Sequence, residues 1–307
     1  MRSQPRLLAA LLAALVSVAS LPAVPAQTPA ALITFVFDDG FFTDAVVARE
    51  FAKYGVVACS AVATVWIGTA DHLSAAEIRG LQEAGWEILS HSCTHPHLPH
   101  LSALRIDEEL RLSQEQLEAL GVSVHNFVYP YNQSSAEVER IAHLYYRSAR
   151  GGGYAFNTPA TNPYALRSFP YKHDLEAIKR TIDRAYAERA WLIVYQHRLD
   201  VAVTIKDRHG RFVPGEILEF SPSLSEARCE KSAWSQLFGT LHFFPLSGSP
   251  RPGDFVTGQK SGASGRVGRI MFNDFVAMAD MLDYLRTRYP DMRIVTINQG
   301  LDLLGFP

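Results

Sequence analysis

Two short motifs of the sequence concentrate residue types that bind metals or transfer protons. The first is the triplet Asp38-Asp39-Gly40, which ends an apolar run. The second contains His91 and His95, whose spacing of four places two imidazoles on one side of a helical turn. Two imidazoles and one carboxylate, with positions left for water, match an open catalytic metal site rather than a closed structural one. The sequence therefore predicts such a site, with Zn²⁺ as the default ion and Co²⁺, Ni²⁺, Mn²⁺ or Fe²⁺ as other ions that these ligands accept.

The two adjacent carboxylates of the first motif are expected to do different work. Neighbouring residues of a strand point to opposite faces, so one of Asp38 and Asp39 can bind the ion while the other faces its water. Gly40 is expected to let the chain turn sharply, so that both approach one site. A surface turn would explain the triplet alone, but the buried-looking strand before it disfavours that interpretation, because buried carboxylates are costly unless they are paired or bind a cation.

The elements that must position these residues alternate between strand-like and helical patterns. Strand-like runs cover residues 31–37, 56–64, 87–90, 126–129, 192–196 and 293–298. Amphipathic stretches cover residues 43–54, 74–84, 102–120, 134–145, 174–190 and 273–288. This alternation predicts a parallel sheet built from βα units. The sequence lacks the glycine-rich fingerprint of an open dinucleotide-binding sheet. We therefore expect an α/β barrel, with its catalytic residues at the carboxyl ends of the strands.

The composition and the first 26 residues narrow the expected partners and location of the protein. The 307 residues carry 29 Lys and Arg against 31 Asp and Glu, with both signs mixed along the chain, so nucleic acid is not an expected partner. Arg2 and Arg6 precede a short apolar segment and a small-residue stretch, which predicts a signal peptide over residues 1–26. An uncleaved anchor is the alternative. We expect residues 27–307 to be secreted or periplasmic, with no membrane span after signal cleavage.

Read in order, four motifs of the chain resemble those of a known family. They are FVFDDG at residues 35–40, HSCTH at 91–95, FVYPYN at 127–132 and WLIVYQH at 191–197. Their order is similar to that in polysaccharide deacetylases with a NodB-homology domain, carbohydrate esterase family 4. The resemblance implies a distorted (β/α) barrel of about seven strands. It also implies a metal-dependent hydrolase that acts on carbon-nitrogen bonds other than peptide bonds, by removing acetyl groups from acylated sugars.

The resemblance further implies a role for each motif residue. Asp38 corresponds to the general base, and Asp39 to a metal ligand beside the two histidines of HSCTH. Tyr131 corresponds to the residue whose backbone N–H helps to hold the oxyanion. His197 corresponds to the general acid that protonates the leaving group.

Two supporting groups of the family are not found at their usual positions. The Arg that commonly lies two residues before the motif's Pro, and supports the base, is replaced by Val128. Arg167 is our candidate for that role, with Arg150 as the alternative. No motif for the Asp that orients the acid is recognisable, which leaves Asp174 as a candidate. Asn132 stands where Gly is common, and these changes resemble the subgroup that acts on bacterial exopolysaccharides.

Residues 200–269 interrupt the alternation of strands and helices. The segment lacks helical periodicity and is rich in turn residues, so we predict a β-rich insertion before the last helix and strand. It should lie beside the sugar groove, because it leaves the preceding strand at the catalytic end. Four nearby aromatic residues would either stack on sugar rings or, as the stronger expectation, pack in a core: Trp191, Trp234, Phe243 and Phe244.

The expected function is removal of acetyl groups from N-acetylated sugars of an exopolysaccharide or a cell-wall glycan. One alternative is an O-acetyl esterase on a polysaccharide, or a hydrolase of a small amide or imide. Another is a catalytically inactive sugar-binding module of the same fold. The inactive module is disfavoured because Asp38 and His197 are both present.

Overall fold

The computed structural model describes residues 31–234 and 239–306. The predicted signal peptide, residues 1–26, lies outside the described residues. Within the described part, no helix is long and apolar enough to cross a membrane.

The described residues form fourteen strands and seven α-helices. The strands are β1 (Leu32–Phe37), β2 (Cys59–Val62), β3 (Glu87–Ser90), β4 (Asn126–Val128), β5 (Ser148–Arg150), β6 (Phe169–Pro170), β7 (Trp191–Gln196), β8 (Val201–His209), β9 (Ile217–Ser221), β10 (Ser225–Trp234), β11 (Gly239–Ser247), β12 (Phe255–Gly258), β13 (Ser264–Asn273) and β14 (Arg293–Ile294). The helices are α1 (Thr43–Lys53), α2 (Ala75–Glu83), α3 (Ala103–Ala119), α4 (Ala136–Ala142), α5 (Leu175–Ala187), α6 (Asp274–Arg288) and α7 (Ile297–Leu304).

Eight strands form one parallel sheet that curls into a partial barrel. Its order is β5-β4-β3-β2-β1-β7-β6, and β14 pairs with the start of β1 while β2 pairs with its end. Between β5 and β6 the described residues show no ladder, only an isolated bridge from Arg150 to Leu166. The predicted distorted (β/α) barrel is therefore confirmed.

Strand β1 is the rigid support of the first motif. All six of its residues are buried. Phe35 and Phe37 pack edge-on against Phe51 of α1, with ring centroids 5.6 and 6.1 Å apart, while Val36 belongs to the cluster on the other face of the strand. Burial of each such side chain contributes about 1.5–3 kcal/mol, so the end of β1 is held firmly in place.

The predicted β-rich insertion is also confirmed, and it is a closed barrel of its own. Strands β8 to β13 form an antiparallel barrel in the order β10-β11-β8-β13-β12-β9. The barrel ends at Asn273, whose side chain caps α6 by accepting a hydrogen bond from the amide of Val276 at 3.1 Å. Phe243 is buried in its core, and Trp191 is buried within the parallel sheet. Neither residue can stack on a sugar, and the side chain of Trp234 lies outside the described residues.

The inserted barrel is fastened beside the carboxyl ends of the parallel strands. Arg198, which follows the candidate acid His197, donates a hydrogen bond to Glu230 of β10 at 2.6 Å. Arg228 of the same strand donates to the carbonyl of Ala70 at 2.6 Å. The insertion therefore forms part of the wall around the mouth of the partial barrel.

Three strands of the parallel sheet differ from the prediction. The run 293–298 pairs over Arg293–Ile294 alone, because α7 follows at once with Thr296 as its N-cap. The hydroxyl of Thr296 and the side chain of Gln299 each accept a hydrogen bond from the other residue's amide, which forms a capping box. Strands β5 and β6 were not predicted, because they have only three and two residues and do not lie in a longer apolar run.

Candidate active site

The predicted site residues meet at one edge of the parallel sheet. Asp38 and Asp39 follow β1, His91 follows β3, Tyr131 follows β4, and His197 follows β7. The carboxyl ends of parallel strands lie on the same side of a barrel, and the loops after these strands therefore converge.

Asp39, His91 and His95 form a compact set of possible metal ligands. Nε2 of His91 and Nε2 of His95 each lie 3.4 Å from Oδ1 of Asp39, and the two nitrogens are 3.2 Å apart. Corners of a tetrahedron about 2.0–2.1 Å from its centre are about 3.3–3.4 Å apart, which is the spacing of ligands around Zn²⁺. Asp39 Oδ1 is buried without a hydrogen bond to any described residue. The donor set therefore fits a divalent cation.

The two histidines are oriented by different means. Nδ1 of His91 lies 2.7 Å from the carbonyl oxygen of Val128. Because a carbonyl oxygen only accepts hydrogen bonds, Nδ1 carries the proton, and the lone pair of Nε2 is free to bind a metal. The ring of His95 lies between those of Trp66 and Tyr131, with centroids 5.0 and 4.7 Å away. Trp66 was not identified from the sequence.

The segment that brings the two histidines together is a loop and not the predicted helical turn. Ser92 and His95 both adopt positive φ, at 67° and 57°, and the hydroxyl of Ser92 accepts a hydrogen bond from the amide of His95 at 2.9 Å. Glu109 of α3 anchors the loop by accepting two hydrogen bonds from Thr94. Such backbone strain is typical of functional sites, where the surrounding structure maintains it.

The protonation states of His95 and Asp39 suit metal binding. Burial lowers the pKa of His95 to about 4, assisted by the charge of His91, so its imidazole is neutral at neutral pH. Burial acts to raise the pKa of Asp39, but its interaction with His91 and the charge of His197 outweigh that effect, and the pKa lies below its ordinary value. Neutral imidazoles and an ionised carboxylate are the forms that coordinate metals.

Asp38 lies against a buried arginine. Nη2 of Arg150 donates to its Oδ1, and both side chains are almost fully buried. Nη1 of Arg150 donates to Oδ1 of Asn132, whose Nδ2 donates in turn to Tyr195 Oη at 3.0 Å. The residue against Asp38 is thus the alternative Arg150 and not Arg167, whose side chain is exposed and packs along Gly153.

The last two candidates lie at the open side of the site. Tyr131 adopts positive φ (58°) and is half exposed, with its ring stacked on His97 at 3.8 Å. His197 is exposed, and its Nε2 lies 4.0 Å from Asp39 Oδ2. Asp174 does not orient it, because that carboxylate caps α5 by accepting from the amide of Ala177 at 2.9 Å.

Part of the chain matches the model of a known protein family. The family model described as polysaccharide deacetylase matches residues 26–147, whereas no curated protein matches the chain. Among solved structures the chain is similar to a polysaccharide deacetylase from Bacillus cereus, at 24% identity and a TM-score of 0.41 over 44% of this chain and 45% of that chain. The match therefore spans less than half of the Bacillus chain.

Two further solved structures are similar over about half of the sequence. One is a deacetylase from Streptococcus pyogenes in complex with acetate, at 19% identity and a TM-score of 0.47, covering 50% of this chain and 69% of that chain. The other is a family 4 carbohydrate esterase from Streptomyces lividans in complex with acetate, at 17% identity and a TM-score of 0.41, covering 54% and 79%.

Proposed function

We propose that the chain, whose residues 26–147 belong to the polysaccharide deacetylase family, is an exported metal-dependent hydrolase that removes acetyl groups from N-acetylated sugars of a polysaccharide. One observation carries the proposal. The donor atoms of Asp39, His91 and His95 are spaced like ligands of one cation, next to the buried Asp38 and the exposed His197.

Asp39, His91 and His95 would hold the cation, with Zn²⁺ as the default and Co²⁺, Ni²⁺, Mn²⁺ or Fe²⁺ as alternatives. A cation bound there lowers the pKa of water and polarises the acetyl carbonyl. With the imidazole of His95 neutral and that of His91 binding through its unprotonated Nε2, the three side chains would contribute one negative charge. Half of the charge of a divalent ion would then remain available to the substrate.

Asp38 would take the proton of the attacking water. Arg150 binds one oxygen of its carboxylate, Oδ1, which leaves Oδ2 to accept the proton. The backbone amide of Asp38 donates to the carbonyl of Gln196 at 2.7 Å, which ties the base to the end of β7. The base is thus fixed from two directions before the substrate arrives.

Tyr131 and His197 would act on the other side of the reacting carbonyl. The backbone N–H of Tyr131 would donate to the oxyanion, and His197 would protonate the departing nitrogen as the C–N bond breaks. Water thereby supplies the hydroxyl group of acetate and a proton to the new amine. The exposure of His197 lets it reach a sugar that lies over the mouth of the barrel.

The test is acetate release from a panel of polymers: chitooligosaccharides, poly-N-acetylglucosamine, peptidoglycan and acetylxylan. We expect release from an N-acetylated member, together with the appearance of free amines on the polymer. Release from acetylxylan alone would instead identify an O-acetyl esterase. Binding of a polymer without release of acetate would identify an inactive sugar-binding module.

Export is proposed from residues 1–26 alone. We expect the protein recovered from outside the cytoplasm to begin near residue 27, which N-terminal sequencing would establish. Recovery of a chain that begins at Met1 from the membrane fraction would favour an uncleaved anchor.

A further inference from the structure

A cavity of about 600 Å³ opens beside the candidate base. Tyr129 and Asn132 line one side of it, Gly151–Gly153 follow, and Arg167 lies at its edge. Asn132 joins the cavity to the active site, because its Oδ1 accepts the hydrogen bond from Arg150, the residue that contacts Asp38. A ligand in the cavity would therefore lie one side chain away from the catalytic pair.

Consecutive glycines let two side chains that line the cavity pack closely against the backbone. A Cβ at Gly152 would lie 3.2 Å from Cβ of Asn132, and one at Gly153 would lie 3.0 Å from Cδ of Arg167. Gly153 also has φ of +112°, a conformation that residues with a Cβ rarely adopt. The glycines therefore leave room for Asn132 and for the stem of Arg167 at the wall of the cavity.

The charge of the cavity is positive. Arg167 is exposed, and its guanidinium makes no hydrogen bond or ion pair with any residue of the described ranges. His100 provides a second basic group, and none of the lining residues is Asp or Glu. Glu139 accepts a hydrogen bond from the lining residue Ser134 at 2.8 Å, but Glu139 does not itself line the cavity.

We propose that this cavity is a subsite for an anionic sugar, a hexuronate whose carboxylate pairs with Arg167. A guanidinium binds a carboxylate through two parallel N–H···O bonds, which gives both attraction and orientation. The inference rests on the proposed function and narrows its substrate: the N-acetylated sugar that reacts is the neighbour of an acidic sugar in the same polymer.

The test is binding of two matched oligosaccharides to the full-length mature protein, measured by isothermal titration calorimetry. One is an oligomer of hexuronate, and the other is the same oligomer with its carboxylates reduced to alcohols. We expect the hexuronate oligomer to bind about tenfold more tightly than the reduced one. Arg167→Gln should bring the ratio of the two affinities close to one. Arg167→Lys keeps the charge but lacks the two parallel N–H groups of the guanidinium, so it should retain part of the preference.

Arg180→Gln is the matched control, because Arg180 is an exposed arginine of α5 outside the cavity. It should keep the ratio of affinities. Equal affinities for the two oligomers, no binding of the hexuronate, or equal loss of the ratio in both Gln variants would each overturn the subsite. The binding assay does not depend on turnover. If the protein selects the hexuronate through Arg167 but releases no acetate, the proposed activity is wrong and the proposed subsite still stands.

Discussion

Arg150 and Asp38 form a buried ion pair across the mouth of the partial barrel, although 112 positions separate them in the sequence. The exposed fraction of Asp38 is 3% and that of Arg150 is 1%. Water cannot compensate either charge if its partner is removed. The pair therefore links the stability of the barrel mouth to the position of the candidate base.

The first prediction concerns this pair. Arg150→Met should lower the free energy of unfolding by about 3–5 kcal/mol, because it leaves the Asp38 carboxylate buried without a partner. Adding Asp38→Asn to Arg150→Met should recover part of that loss. Urea denaturation measures both. The control is Arg140→Met, which removes an exposed pair with Glu137 and should cost at most about 1 kcal/mol. A similar cost for Arg150→Met would contradict the account.

A second prediction concerns Trp66, whose ring lies 5.0 Å from that of His95. Removing the ring frees His95 to rotate, so Trp66→Ala should weaken binding of Zn²⁺ by about tenfold. Trp66→Phe should retain most of the affinity because it keeps a ring in contact. Competition with a chromophoric chelator measures this without any assay of activity. Unchanged affinity in Trp66→Ala would show that the ring does not orient the ligand.

The third prediction concerns the acid. His197→Ala should lower kcat on an N-acetylated sugar by about 10²–10⁴-fold, because the amine leaves only when it is protonated. An aryl acetate, whose leaving group departs without a proton, should lose much less. Affinity for the metal should stay unchanged, since His197 Nε2 lies 4.0 Å from Asp39 and outside the three-residue donor set. Equal losses on both substrates would remove His197 from this role.

A fourth prediction follows from Asp200, where the inserted barrel begins. Burial raises the pKa of Asp200 to about 6 from 3.8, despite the nearby charge of Arg198. The native state therefore retains a proton that the unfolded chain releases, and stability falls as pH rises from about 4 to 6. Asp200→Asn removes this loss, so its advantage over the wild type should grow by about 1–3 kcal/mol across that window and then level off. An advantage that does not change with pH would contradict the assignment.

The site was more predictable from the sequence than the contacts that support it. Asp39 and His91 are recognisable because each follows an apolar strand, and parallel strands end on one side of the barrel. His95 is recognisable by its spacing of four from His91. The choice between Arg150 and Arg167 was not predictable. It depends on strand β5, which has only three residues, and on a contact between residues far apart in sequence.

The same limit applies to the insertion. Its strands are indicated by short runs of alternating apolar and polar residues between turn residues. Closure of its barrel depends on non-local pairing, such as that of β8 with β13. Local patterns do not encode such registers. Trp66 was missed for a related reason. It ends a three-residue 3₁₀ helix after β2, Thr64–Trp66, and so short an element has no periodic signal.

The most direct test of the central claim is a titration of the chelator-treated protein with Zn²⁺, followed by both metal content and acetate release. We expect one ion per chain and full activity at one equivalent in the wild type. Asp38→Asn should bind the ion without activity, and His91→Ala should lose both. Acetate release that persists in the chelated wild type, or in His91→Ala, would contradict the proposal that Asp39, His91 and His95 hold the catalytic metal.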